Sequence, residues 1–196
     1  MMNRGNRRIR ETNQQKLVFI EGRNPGFDLK DLLRSSSEGL GMGAFGTSYK
    51  AAMDNGITVV MKRLMRVSVS NEEFRQHMEV IGRMRHGNVD ALISFYCSRD
   101  ENLTLYDYHD RGSASDMLYG KRSKNQVSLD WETRLRIAVG VARGIAHIHM
   151  QAGQKLVHGN VKASNIFINA QGDGCVSDIG FATLTSQFTL PVSAGY

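Results

Sequence analysis

Three glycines at positions 41, 43 and 46 limit the possible folds of this chain more than any other feature. Their Gly-x-Gly-x-x-Gly spacing is common in turns, and in a dinucleotide-binding unit it would follow a strand and open a helix. Here it lies between two segments with strand character, and a tight hairpin signal, Asp54-Asn-Gly56, precedes the strand that contains Lys62. The pattern therefore predicts a glycine-rich loop followed by two antiparallel strands.

The rest of the N-terminal half adds strands around one helix. Residues 16–20 are predicted to form a short strand, and residues 27–33 a helical turn that begins at Asp28 or just before it. Residues 71–85 have helical periodicity, with Asn71 as the N-cap. Two further strands are predicted from apolar runs on either side of a polar turn, at 92–97 and 103–108.

The C-terminal half contains the most regular helix pattern, which begins at Asp130 and ends near Met150. Short strands are predicted at 166–168 and 175–177, on either side of a glycine-rich turn. Strands thus come first and the long helix second, which is typical of an α+β fold rather than an alternating βαβ fold. The apolar stripe of the long helix is predicted to contain Leu135, Val139, Ala142, Ile145, Ala146 and His149.

The net charge of +6 is concentrated at the N-terminus. Residues 1–16 hold five basic side chains against Glu11 alone, which gives +4 of the total. Such a segment is either flexible and solvated or attracted to an acidic membrane surface, at about 1 kcal/mol per basic residue near the headgroups. Because no basic stripe interleaved with aromatic residues follows, we expect no nucleic-acid partner.

Composition excludes several other classes of protein. A content of 41% hydrophobic and 22% charged residues is typical of a globular chain. The longest apolar runs are only a few residues, too short to cross a bilayer. Cys97 and Cys175 are the only cysteines, so neither a disulfide framework nor a cysteine metal site is expected. These features predict a reducing, cytoplasmic environment.

Two later motifs follow the glycine and lysine pattern. They are His158-Gly-Asn-Val-Lys-Ala-Ser-Asn165 and Ser177-Asp-Ile-Gly180. In this order the four motifs resemble the phosphate-covering loop, strand lysine, catalytic loop and metal-binding segment of protein kinases. Residues 27–33, 46–51 and 105–108 are similar to the plant leucine-rich-repeat receptor-like kinases in particular.

The resemblance implies a protein-kinase-like α+β fold, with an antiparallel β N-lobe that holds one helix and an incomplete α-helical C-lobe. It divides the chain into a basic juxtamembrane-like tail at 1–15, a lead-in at 16–34, the N-lobe and hinge at 35–109, and a partial C-lobe at 110–196 that ends in the activation segment. Since the family continues into further helices, it also implies C-terminal truncation and an apolar side of the long helix left uncovered.

The resemblance also implies a site for ATP and Mg²⁺. Asn165 and Asp178 are separated by a predicted hairpin, which would bring their oxygens together as ligands of a hard magnesium ion. Lys162 would steady the γ-phosphate, and residues 107–109 would form the hinge that contacts adenine, next to Tyr106 as the gatekeeper. The nucleotide-binding residues implied are Gly41, Gly43, Gly46, Ser48, Val60, Lys62, Tyr106, Tyr108 and Phe167.

The catalytic loop departs from the family pattern. The aspartate that accepts the substrate proton in the family falls at Asn160, and a neutral carboxamide lacks useful basicity, so a contribution of about 10²- to 10⁴-fold is missing. Gly159 replaces the arginine that holds a phosphorylated activation loop, so activation by that route is not expected. Val60 and Ser48 stand where alanine and valine are usual, and the larger Val60 predicts weakened nucleotide binding.

A second departure lies on the predicted 71–85 helix. The family pairs the strand lysine with a glutamate, and His77 occupies that position. His77 shares the apolar face of the helix, while Glu79 is about 160° away and is expected to be solvated. Glu73, about 40° from His77, is therefore predicted to pair with Lys62 instead. We interpret His77 as a residue hydrogen-bonded near the interface between the lobes.

These observations favour a receptor-like pseudokinase that binds ATP and Mg²⁺ and acts in signalling. Its expected partners are other receptor-like kinases or signalling proteins, in the cytoplasm or at the cytoplasmic face of the plasma membrane. Two alternatives stay open at this point. One is an active or weakly active serine/threonine kinase that transfers the γ-phosphate of ATP, and the other is an incomplete fragment without independent function.

Overall fold

A six-stranded sheet and a separate two-stranded hairpin organise the chain. The computed structural model describes residues 16–23, 26–119, 129–151 and 156–185. The large sheet has the strand order β1-β5-β6-β4-β3-β2, and all its pairings are antiparallel. The elements are β1 (Val18–Phe19), α1 (Leu29–Arg34), β2 (Ser36–Gly43), β3 (Gly46–Ala52), β4 (Thr58–Leu64), α2 (Asn71–Gly82), β5 (Leu92–Cys97), β6 (Asn102–Asp107), α3 (Ala114–Tyr119), α4 (Trp131–Met150), β7 (Ile166–Ile168) and β8 (Gly174–Val176).

This architecture confirms the predicted α+β, kinase-like fold with an antiparallel N-lobe, one main N-lobe helix and a partial helical C-lobe. The predicted turn at Asn55 joins β3 and β4, which pair with each other. The turn is stabilised by the Asn55 side chain, which accepts a hydrogen bond from the Ile57 backbone N–H at 3.1 Å. The glycine-rich segment differs from the expected loop, since most of it forms β2 itself. At Gly46 a Cβ would overlap the Arg63 carbonyl oxygen, so glycine allows β3 to start directly against β4.

Helix α2 packs one apolar face on the large sheet. Phe74 is fully buried and meets Phe95 edge-on, with ring centroids 6.2 Å apart. Met78 and Ile81 share that buried face, as the periodicity predicted. The predicted N-cap is wrong: Ser70, not Asn71, accepts the hydrogen bond from the backbone of residue 73. The helix therefore begins with a capping box, one residue earlier than expected.

Helix α4 rests on the β7–β8 hairpin through small residues. Its buried positions are Ile137, Gly140, Gly144 and Ile148, so the predicted stripe is wrong. A Cβ at Gly140 would overlap the backbone of Gly174, which shows that helix and strand meet backbone to backbone there. Because glycine is scarcely hydrophobic, the apolar periodicity predicted a different face of the helix as the buried one. That face stays uncovered in the described chain, with Leu135 and Val139 51% and 41% exposed.

Several smaller expectations were also met or missed. Cys97 and Cys175 are free thiols in buried positions. The short helix α3 was not anticipated from the sequence. In the four described ranges, no helix combines the length and apolar character needed to traverse a bilayer. The basic tail at 1–15 lies outside the described residues.

Candidate functional site

A cavity of about 390 Å³ opens between the β2–β3 hairpin and the segment that runs from Asn160 to Phe181. This volume lies within the range of small-molecule sites. Of the thirteen residues predicted as nucleotide-binding, catalytic-loop or metal positions, only Tyr106 is absent from the cavity wall. The others line it: Gly41, Gly43, Gly46, Ser48, Val60, Lys62, Tyr108, Asn160, Lys162, Asn165, Phe167 and Asp178.

A buried ion pair crosses this cavity. The Lys62 ammonium, from β4, donates to the Asp178 carboxylate and, at 3.1 Å, to the Ser177 hydroxyl. The two charged side chains are only 10% and 13% exposed. Removing one partner from such a pair leaves an uncompensated buried charge, which typically costs about 3–5 kcal/mol. Both groups are thus held charged and close together at the base of the cavity.

Glu73 does not take part in this ion pair, which corrects the prediction that it would bind Lys62. Its carboxylate accepts hydrogen bonds from the backbone N–H and the hydroxyl of Ser70, both at 2.8 Å, and it is exposed. These hydrogen bonds lower the pKa of Glu73. The signal was present in the sequence, because Ser-x-x-Glu at a helix start is a capping box and commits the glutamate to the backbone.

The β7–β8 hairpin brings Asn165 to Asp178, as its predicted position between them required. Ile166 pairs with Val176, and the backbone N–H of Ser177 donates to the Asn165 carbonyl at 2.9 Å. The buried Asn165 amide donates from Nδ2 to the Asn160 carbonyl at 3.1 Å, so its Oδ1 is the side-chain atom that could serve as a ligand. An amide oxygen next to a carboxylate is a donor set suited to Mg²⁺.

The local chemistry also limits which metal this site could hold. In the described segments, no three His, Cys, Asp or Glu side chains gather as ligands. A cation held by Asn165 and Asp178 would complete its shell with phosphate oxygens and water, as Mg²⁺ commonly does. Asp178 also has a φ of 65°, a left-handed conformation that usually costs on the order of 1–3 kcal/mol and is concentrated at functional sites. The residues present therefore fit a magnesium nucleotide.

His77 joins α2 to the segment after Asp178. Its Nε2 lies 3.0 Å from the Gly180 carbonyl oxygen and 3.4 Å from the Thr183 hydroxyl. Burial lowers the pKa of His77. Gly180 has a φ of 71°, and a Cβ there would lie 2.7 Å from His77 Nε2. The interpretation of His77 as a hydrogen-bonded residue at the interface is confirmed, and Glu79 is exposed as predicted.

Tyr106 lies behind the cavity rather than on its wall, which corrects its assignment as a contact residue. The side chain is 2% exposed in the core between the sheet and α2. Its ring centroid is 5.4 Å from Lys62 Nζ, and its hydroxyl has no hydrogen-bond partner among the described residues. Burial raises the pKa of Tyr106 well above its usual range. The bulky ring supports Lys62 from the rear.

The catalytic-loop segment carries neutral groups at its centre. His158 is 2% exposed, and its Nδ1 accepts a hydrogen bond from the Asn160 backbone N–H at 3.2 Å. Burial lowers the pKa of His158. Lys162 reaches across to the glycine hairpin, where a Cβ at Gly43 would lie 3.3 Å from its ammonium. A cation thus faces the hairpin, while the position expected for a base holds the Asn160 carboxamide.

Each hinge residue contacts a different element, which the sequence did not reveal. Asp107 pairs with Arg23 at 2.8 Å, and Lys50 lies over the Tyr108 ring with its ammonium 4.5 Å from the centroid. His109 Nε2 lies 3.2 Å from a carboxylate oxygen of Asp90, and its ring stacks on Phe167. No periodicity links these partners, because they lie on separate loops and strands.

Comparisons with known proteins agree with this geometry. Residues 35–190 match the family described as protein tyrosine and serine/threonine kinase. An Arabidopsis thaliana protein named probable inactive receptor kinase is 50% identical over 183 residues, which are 92% of this chain and 29% of that relative. Further similar Arabidopsis proteins are named as leucine-rich repeat receptor-like kinases, one of them inactive. The chain spans less than a third of the length of these curated relatives.

Two solved structures have the same fold. The pseudokinase domain of BIR2, an immune regulator of the RLK/Pelle family, matches with a TM-score of 0.74 and 29% identity, over 92% of this chain and 58% of that one. The kinase domain of maize SIRK1, sucrose-induced receptor kinase 1, was solved bound to AMP-PNP. It matches with a TM-score of 0.76 and 30% identity, over 86% of this chain and 58% of that one.

Proposed function

The chain belongs to the protein tyrosine and serine/threonine kinase family, among relatives named inactive receptor kinases, and on that basis we propose that it is a pseudokinase domain that holds ATP and Mg²⁺. The observation that carries the proposal is the convergence of Lys62, Asn165 and Asp178 in one cavity that also holds the neutral Asn160. The groups needed to bind a nucleotide are present, whereas the base needed to use it is absent.

The residues of this chain provide the counter-charges for the nucleotide. Bound ATP and Mg²⁺ supply a transferable phosphoryl group whose negative charge the cation offsets. Lys62 contributes a buried cation, and Asp178 and Asn165 contribute oxygen ligands. Because Lys62 and Asp178 already compensate each other, both stay charged and oriented until one exchanges its partner for a phosphate or a cation.

Transfer of the phosphoryl group lacks its proton acceptor. Asn160 cannot take a proton from a substrate hydroxyl, since a carboxamide is not a base near neutral pH. Lys162 still places a positive charge against the glycine hairpin, where it would steady a phosphate. The site therefore binds the nucleotide but turns it over slowly or not at all, which favours the pseudokinase over the active-kinase alternative.

A pseudokinase acts through the surfaces it presents. We propose that the partners are other receptor-like kinases or signalling proteins, since the relatives are receptor kinases. The same relationship favours a position at the cytoplasmic face of the plasma membrane. There the basic residues of the 1–15 segment would be attracted to acidic headgroups.

A thermal shift with Mg-ATP tests the nucleotide site directly. A ligand at one hundred times its Kd stabilises a protein by about 2.7 kcal/mol, which raises the Tm of a chain of this size by about 5–10 °C. We expect a saturable shift of this size. When EDTA removes Mg²⁺, the ATP concentration needed to produce the same shift should rise by at least about tenfold. ADP formation measured in the same samples should stay at the background level.

Two neighbouring residues on β4 provide a matched pair of variants. Lys62→Met removes the buried ammonium and should abolish the shift, whereas Arg63→Met removes an exposed cation, 56% accessible and paired with Glu101, and should leave the shift intact. No shift at millimolar Mg-ATP in the unmodified chain would reject the proposed site. An equal shift in Lys62→Met would show that the nucleotide binds elsewhere.

A further inference from the structure

A buried carboxylate lies next to the hinge without a role in the site described above. The Asp90 side chain is only 5% exposed, and its backbone N–H is fixed to the Val176 carbonyl at 2.8 Å. An unpaired buried carboxylate is costly, so it needs a compensating group. Among the described residues, His109 is the side chain that meets this carboxylate, with Nε2 3.2 Å from Oδ1. The pair connects the loop before β5 to the end of the hinge.

Asp90 contacts the edge of the His109 ring, and a face of the ring packs against the cavity wall. The imidazole stacks on Phe167 with the centroids 4.6 Å apart and the planes 16° from parallel. His109 and Phe167 both line the cavity. Asp90 therefore contacts a ring that packs on Phe167, and three separate segments meet in consecutive contacts beneath the hinge.

We propose that His109 is a positioning residue for the nucleotide, and that the buried Asp90 carboxylate orients it, so that hinge and cavity floor are set before ligand arrives. The proposal rests on the proposed function, because it concerns the affinity of the same site. It adds that this affinity depends on the charge of a histidine outside the phosphate-binding residues. Neither group reacts with the nucleotide.

The charges around His109 determine the direction of this dependence. Its hydrogen bond to Asp90 raises the pKa of His109, Asp107 acts in the same direction, and Lys62 opposes them. Asp107 is itself paired with Arg23. Because the pKa is raised above 6.5, the contribution of the ion pair to the free energy of unfolding is fully present below pH 6.5 and is lost as the pH rises through the raised value. Loss of the ion pair removes the charge that orients the His109 ring, and through that loss of orientation affinity should weaken toward alkaline pH.

The test measures the Kd of a fluorescent, ribose-labelled ATP analogue with Mg²⁺ between pH 6.0 and 8.5. In the unmodified chain the Kd should rise by about fivefold across this range, which is the lower end of typical coupling between linked sites. Asp90→Asn keeps the shape and removes the charge, so it should have the weaker Kd already at pH 6.0 and a flat profile. The titration of the nucleotide itself is common to all variants and cancels in their ratio.

A second variant protects the test against failure to fold. Asp90→Asn combined with His109→Phe removes the buried charge and its partner together while keeping a ring on Phe167, and joint removal of both partners is tolerated far better than removal of one. It should also give a weaker Kd and a flat profile. His149→Asn, at an exposed position on α4, serves as the control and should follow the unmodified chain.

The outcomes separate this proposal from the one it rests on. If the analogue binds the unmodified chain but Asp90→Asn and the double variant keep its Kd and pH profile, His109 does not position the nucleotide while the site itself stands. If the analogue does not bind the unmodified chain at all, both proposals fall. A slope lost in both Asp90 variants and kept in His149→Asn supports the positioning role.

Discussion

Two parts of the cavity wall carry different kinds of residue. The side formed by β4 and the β7–β8 hairpin holds a buried ion pair and an amide oxygen, at Lys62, Asp178 and Asn165. The loop around Asn160 holds neutral groups at the position of the base. One side can therefore attract a charged ligand, whereas the other lacks the group that would make the ligand react.

This difference teaches that nucleotide binding and phosphoryl transfer have separable requirements. Binding depends on charges held in fixed places, and neither Lys62 nor Asp178 can be lost alone without leaving a costly buried charge. A base contributes to the rate of transfer through the transition state, so its loss removes reactivity without leaving such a charge. A chain that works as a binding module can therefore lose the base and keep the ion pair.

Restoring the base is the change with the largest expected effect on this comparison. Asn160→Asp should raise the rate of phosphoryl transfer to a generic protein substrate by about 10²-fold, the lower end of general-base contributions, if the remaining site is competent. The measurement is radiolabelled phosphate transfer with Mg-ATP. Asn160→Ala, which also removes the amide but supplies no base, should remain at background.

Phosphoryl transfer that stays at background in Asn160→Asp would weaken the contrast between the charged and the neutral parts of the cavity wall. It would place a second defect in another part of the site, such as the link that His77 makes in place of a glutamate. Equal Mg-ATP thermal shifts for Asn160→Asp and the unmodified chain are expected, because the residue at 160 acts on transfer rather than on binding. A changed shift would mean that the residue at 160 also takes part in binding.

Local motifs predicted much of this molecule because short sequences determine them. The turn at Asp54-Asn-Gly56, the pairing of β3 with β4, and the return of Asn165 to Asp178 by a hairpin all depend on neighbouring residues. The fold class followed from the order of such elements. Much of the cavity wall followed from the motifs, because each of the four places between one and several residues on it.

Contacts between distant segments could not be predicted in the same way. The buried face of α4 depends on glycines that meet the backbone of β8, and apolar periodicity ignores glycine. The prediction for Glu73 was wrong because two local patterns involve the same carboxylate. Its angular position on the helix suggested a contact with Lys62, but the capping box with Ser70 binds it instead. The Asp90–His109 pair joins two loops 19 residues apart in sequence, with no motif at either end.

Alanine at Gly180 sharpens the comparison at the point where α2 meets the segment after Asp178. The added Cβ would require a left-handed φ and would lie 2.7 Å from His77 Nε2, so we expect a loss of about 2 kcal/mol in the free energy of unfolding. Gly172→Ala is the matched control, since it has a φ of 83° and the atoms nearest its added Cβ belong to the flexible Arg136 side chain. Urea unfolding of both variants separates the backbone strain from the crowding against His77 and Leu156, and equal losses would count against that crowding.

Alanine at Ser70 has the smallest expected effect and tests whether Glu73 belongs to the helix cap rather than to the nucleotide site. Ser70→Ala should lower the free energy of unfolding by about 1 kcal/mol, as loss of an N-cap usually does, while Asn71→Ala should be nearly neutral. Since hydrogen bonds lower the pKa of Glu73, its share of the cap is present above pH 4.5 and is lost as the pH falls through the lowered value. The gap between Ser70→Ala and the unmodified chain should therefore narrow in acid. Freeing the Glu73 carboxylate should change the end of the helix and leave Lys62 unaffected. A loss of Mg-ATP affinity in Ser70→Ala would contradict this expectation and would place Glu73 in the nucleotide site.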